Sequence, residues 1–258
     1  METAPAVVRS RFKVHTRATW SAREDRIPSL AWLALIWIGM IAGFGVDMPR
    51  FLHESPQPAA VVDVHAVVFT VWLLLLTAQV LLVVGDRVAL HRRLGWFMAG
   101  WAGLMFVLGV WTAMVAKGPV DSGPASPQFL SVNFGSLLAF ILFVLWGVAL
   151  RGNPAAHKRV MILSTVAILD PGYGRLTGWL WPEPQSMLMW YFFNFWGDVL
   201  VLTAMTAWDA WRGRLMKQFA AGAMGLVVLQ CLQDFLYHWS PWKGFASGLV
   251  SAWTRHIR

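Results

Sequence analysis

The chain has 258 residues, 57% hydrophobic and 13% charged, with a mean hydropathy of +0.55 and a formal charge of +8. That much apolar surface exceeds what a soluble domain of this length can hide, which excludes an ordinary water-soluble enzyme. The basic residues are dispersed among apolar runs and form no stripe, so nucleic acid is excluded as a partner and the lipid bilayer, with its anionic headgroups, takes its place.

Residues 1–27 carry Arg9, Arg11, Lys13, Arg17, Arg23 and Arg26 but lack the compact apolar core and cleavage site of a signal peptide. They read as a basic cytoplasmic tail. A bilayer needs about 20 apolar residues per helix. Runs of that kind follow at 28–48, 60–84, 94–116, 128–150, 157–181, 186–208 and 217–238, each bounded by proline, glycine or charge. The expected fold is all-α, a polytopic bundle of seven transmembrane helices filling residues 28–240 with the N-terminus in the cytoplasm. The joints holding Arg87, Arg92 and Arg93, then Arg151, Lys158 and Arg159, then Arg212, Arg214 and Lys217, fall on the side of the tail. Only 6 of the 21 basic residues then lie opposite, the positive-inside bias of a multi-pass protein in a bacterial inner membrane. Residues 241–258 read as an interfacial segment anchored by Trp239, Trp242 and Trp253. Among the 17 tryptophans, Trp20, Trp96, Trp179, Trp181, Trp208 and Trp211 also fall near helix ends, where indoles anchor at headgroups. The single cysteine, Cys231, excludes an internal disulfide or a cysteine metal cage and is expected as a packing residue.

Two joints on the tail's side look alike. Ala89-Leu90-His91-Arg92-Arg93-Leu94-Gly95 enters the third span, and Ala155-Ala156-His157-Lys158-Arg159-Val160-Met161 enters the fifth. The pairing hints at duplicated hairpins. Histidines at one membrane face can ligate a b-type haem or another metal, and the basic residues beside them can equally hold lipid phosphates. His65, near the opposite end of span 2, stands about 39 Å from His91 along a continuous helix and would need His53 or His238 for a site of its own.

A second constellation lies deeper. Asp170 in span 5 and Asp198 in span 6 both fall near mid-membrane, where an ionised side chain costs at least roughly 2.5–3.5 kcal/mol. Arg175, Asn194, Gln230, Gln233, Asp234 and His65 are the candidate partners. Asn194 and Asp198 share a helix face, as do Gln230 and Asp234, so a ligand pocket in the outer half of spans 5–7 is expected. The run Asp170-Pro171-Gly172-Tyr173-Gly174-Arg175 is expected to kink the fifth helix beside it. Asp47, Asp63 and Asp209, near span ends, are expected to be solvated.

His65, Trp72 and Gln79, the two histidine-basic joints and Arg175 together resemble the pattern of an uncharacterised bacterial family of multi-pass membrane proteins, over roughly residues 60 to 178. The pattern is more distantly similar to four-helix membrane cytochromes of the b type. The first resemblance implies a shared fold, and the second implies haem held by His91 and His157 or at His65. The proline and glycines after Leu169 depart from the smooth helix that such a bundle would have. Three readings follow: a protein binding haem or another redox cofactor, a transporter or small-ligand binder built on the carboxylates, and a non-catalytic membrane assembly or scaffold component. The chain lacks a phosphate loop, a dinucleotide fingerprint, a zinc-protease helix and a nucleophile elbow.

Overall fold

The computed structural model describes residues 24–55, 57–181 and 184–257. Most of the expected basic tail, with Trp20, and Arg258 lie outside the described residues. Among those described the chain is all helical, with no strand. In order the helices are α1 (Arg26–Leu52), α2 (Ala60–Val84), α3 (Val88–Val115), α4 (Leu130–Ala149), α5 (Pro154–Val166), α6 (Asp170–Leu180), α7 (Met187–Trp211), α8 (Lys217–His238) and α9 (Ser240–Ile257). Six of them, α1 to α4 with α7 and α8, are long and apolar enough to cross a membrane, which makes this a multi-pass membrane protein.

The expected fifth helix is the main correction. It is two helices, and the break lies at Ala167–Leu169, ahead of the proline. Pro171 sits in the first turn of α6, where its missing N–H has no intrahelical partner to lose, so it starts a helix instead of kinking one. Asn153 caps α5 by accepting from the Ala156 N–H, with Pro154 at its first position. α5 lies in the bundle's interior, packed on α4, α7 and α8, while α6, its last turn exposed, packs on α1 and α7. Nine α5 residues are buried, including Val160, Leu163 and Val166. Around it α1, α2, α3 and α4 pack in succession, and α8 closes against α4 and α7.

Glycine governs the tightest contact. A side chain at Gly43 would overlap the Gly172 carbonyl, and one at Gly39 would overlap the Tyr173 ring. The Gly39-x-x-x-Gly43 face thus lets α1 and α6 approach backbone to backbone. The Tyr173 hydroxyl then donates to the Leu35 carbonyl at 2.8 Å. Several tryptophans are internal struts: Trp72 is fully buried and donates to Thr165 Oγ1 at 3.0 Å, and Trp37 donates to Thr77 Oγ1 at 2.9 Å. Trp179, Trp181, Trp211 and Trp239 are exposed, at helix ends, and Trp96 is exposed about two turns into α3. Cys231 is exposed as well, against the packing role expected for it.

The ends of the helices are tied in two layers. At what we call the basic end, Arg26 pairs with Asp86, and His157 Nδ1 lies 2.7 Å from the Gly147 carbonyl. At the far end, Arg175 pairs with Asp47 at 2.9 Å, the Gly123 N–H donates to the Tyr237 hydroxyl, and Trp242 on α9 donates to the Gln128 carbonyl.

Candidate functional site

The basic end contains a buried ionic lattice that sequence reading missed. Arg159, 1% exposed, donates from Nε and Nη2 to both oxygens of Asp209, at 2.6 and 2.5 Å, and reaches Asp25 Oδ2 at 3.2 Å. Lys158 Nζ lies 2.6 Å from Asp25, and Trp208 donates to the same carboxylate. Arg212 and Arg214 both bond Glu24 at 2.8 Å. Arg212's hydrogen bond, reinforced by the Arg214 charge, holds the Glu24 carboxyl below its ordinary 4.5. Asp209 is wholly buried and not solvated as expected, because the Arg159 fork offers it two parallel hydrogen bonds. Lys158 and Arg159 are therefore occupied inside the protein and do not reach outward to lipid phosphates.

The second cluster lies at the helix break. Asp198, 1% exposed, accepts from Gln230 Nε2 at 2.6 Å, and Gln230 Oε1 in turn accepts from the Tyr191 hydroxyl at 3.0 Å. Its other oxygen, Oδ1, has no hydrogen-bond partner among the described residues. Asp170 opens α6, whose Tyr173 ring packs on Gly197, the neighbour of Asp198 on α7. The expected neutralising partner is elsewhere. Arg175 pairs with Asp47 and bonds the Pro171 carbonyl, so it acts on Asp170 only at longer range, and Asp47 is likewise not left to solvent. Among the described residues no ion pair reaches Asp170 or Asp198.

Magnitudes show what remains unbalanced. Each carboxylate at this depth costs roughly 2.5–3.5 kcal/mol if ionised. A hydrogen bond to a charged group returns about 1.5–3 kcal/mol, which nearly offsets Asp198 through Gln230. Asp170 has a backbone hydrogen bond and the α6 N-terminus, the latter worth about 0.3–1 kcal/mol, with the Arg175 charge only at longer range.

The remaining predicted residues divide. Gln233, 2% exposed, has its amide nitrogen and oxygen both unpartnered among the described residues and packs over Gly135, while Asn133 Oδ1 is also buried and unpartnered. Asn194 donates to the Trp190 carbonyl on its own helix. Asp234 lies 3.1 Å from His238 Nδ1, one turn on. His65 stacks on Phe69 with Nδ1 unpartnered among the described residues, and His53 Nδ1 is bonded to the Pro49 carbonyl.

His91 and His157 do come together at the basic end, with ring centroids 6.1 Å apart and planes at 89°. Gln79, beside them, lies 14 residues along α2 from His65, about 21 Å of helix, so His65 serves no common site with the pair. Gln79's amide lies over Gly95, one turn after His91. Among the described residues no group of three histidine, cysteine or carboxylate side chains converges. Compared with known protein families, curated proteins and solved structures, the chain matches none.

Proposed function

We propose that the chain is a seven-span transport protein of a bacterial inner membrane, binding a small cationic species, a proton or a small ammonium ion, between Asp170 and Asp198. The N-terminus and the basic end face the cytoplasm in this reading, and α5 with α6 forms the fifth crossing. Support for that crossing comes from length and tethering. The 13 and 11 residues of α5 and α6 give about 36 Å of helical rise, enough for a hydrocarbon core of about 30 Å. The start of α5 is tied to the end of α7 by Arg159 and Asp209, while α6 is tied to the end of α1 by Arg175 and Asp47.

The ligand reading is carried by one observation: two buried carboxylates lie on adjoining helices, α6 and α7, beside a helix break, without a cation within ion-pair distance among the described residues. Discontinuous helices within membrane bundles bring opposed helix ends and free backbone groups to such a point. Tests use proteoliposomes loaded with a pH-sensitive dye. A potassium-valinomycin potential probes the proton, and an imposed methylammonium gradient probes the amine. Wild-type flux exceeds that of empty vesicles, while Asp170→Asn and Asp198→Asn lose it and remain monodisperse. Undiminished flux in both variants removes the site. Misfolded variants beside an inactive wild type make the cluster structural glue, the scaffold reading.

A further inference from the structure

We propose that His91, His157 and Gln79 form a site for a single cuprous ion at the basic end, independent of the carboxylate pair. Three donors point to it. The His157 Nδ1 lies 2.7 Å from the Gly147 carbonyl, which fixes that nitrogen as the protonated one and leaves Nε2 with a bare lone pair. A backbone carbonyl holding the distal ring nitrogen is the usual orienting device of a metal-bound histidine. On the other side, His91 Nδ1 is buried and unpartnered among the described residues, while the Gln79 backbone carbonyl accepts a hydrogen bond from the same ring. Gln79 is 6% exposed, and its side-chain Oε1 is also buried and unpartnered among those residues. Glycine at position 95 leaves the room that this amide fills beside His91: a Cβ there would stand 3.6 Å from Gln79 Nε2.

The spacing and the charge select the ion. A metal bonded to imidazole nitrogens at about 2.0–2.1 Å, with about 1.1 Å more from each nitrogen to its ring centre, separates two ring centres by up to about 6.3 Å when the donors are in line. The observed 6.1 Å is close to that limit and well above the separation that a tetrahedral angle gives. Nearly linear coordination by two nitrogens is a preference of monovalent copper, and imidazole suits copper generally. No carboxylate contributes. Asp25 and Asp209 are taken by Lys158 and Arg159, and Arg92 and Arg93 follow His91 directly. That surrounding favours a charge of one over a charge of two. Arg151, the other nearby cation, is turned onto the Trp96 ring.

The test is copper retention by the detergent-purified full chain under a reductant, against a chromogenic cuprous chelator, with zinc and haem in parallel. Wild-type protein keeps one equivalent of copper, and X-ray absorption shows two nitrogen neighbours. His91→Ala loses retention, and so does His91→Gln, which keeps a polar group for the Gln79 carbonyl and a copper-free unfolding temperature near the wild-type value. His157→Ala loses retention too, and Gln79→Leu weakens it about 10- to 100-fold, the usual penalty for a supporting ligand. Retention unchanged in His91→Ala overturns the site. So does a haem spectrum with sharp reduced bands, which makes the pair a porphyrin site, and so does zinc held more tightly than copper.

Discussion

The ionic lattice at the basic end and the carboxylate pair at the helix break hold similar residues under opposite accounting. In the lattice, Asp25 and Asp209 face Lys158, Arg159 and Arg214, and its buried carboxylates each meet at least one cation. At the break, Asp170 and Asp198 lie on adjoining helices with no ion pair among the described residues, and Arg175 is paired with Asp47. A saturated cluster is what a bundle uses to fix its helices in place. An unsaturated one of equal burial is retained at a cost in stability and therefore points to a ligand.

Mutation separates the two. The largest effect is expected in the lattice. Arg159→Ala leaves Asp209 buried without its fork and costs about 3–5 kcal/mol, read as a lowered unfolding temperature in detergent. Gly43→Val comes next, since its side chain meets the Gly172 backbone, which cannot rotate away. Overpacking of that kind costs about 1–3 kcal/mol, and cysteine cross-linking between α1 and α6 should fall in parallel. Gln230→Leu removes the donor to Asp198 and the acceptor of Tyr191, a loss of about 1–3 kcal/mol read as a lowered unfolding temperature. The smallest effect belongs to Glu24, which is fully at the surface. Its folded value is depressed, so its contribution is present above 4.5 and is lost as pH falls through the folded value. Glu24→Gln should differ slightly from wild type at neutral pH and low salt, and not at all in strong acid.

The helical architecture was legible because apolar length is a direct consequence of bilayer thickness. The expected limits of the second and last spans, 60–84 and 217–238, coincide with α2 and α8. The break in the central helix was misplaced for a physical reason. Proline signals either a kink or a helix start, and the residues before it, Val166 to Leu169, are apolar and carry no punctuation. The lattice was invisible because its partners are remote in sequence: Arg159 and Asp209 are 50 residues apart, and Lys158 and Asp25 are 133 apart. A charge near a helix end is ordinarily solvated, so neither aspartate announced itself. The Gly39-x-x-x-Gly43 spacing was a readable signal of close helix approach that went unused. At the candidate site, the burial of Asp170 and Asp198 was legible because both fall well inside apolar runs. The diversion of Arg175 to Asp47 depends on how α1 meets α6, which no local pattern encodes.

The most direct test of the central claim combines flux and unfolding temperature in one variant, Asp198→Asn. If the carboxylate pair is a cation site, the amide keeps the volume and a bond to Gln230, the unfolding temperature holds or rises, and cation-driven flux disappears. A several-degree fall in unfolding temperature with flux at the wild-type level would contradict the account and make Asp198 one more tie between α7 and α8.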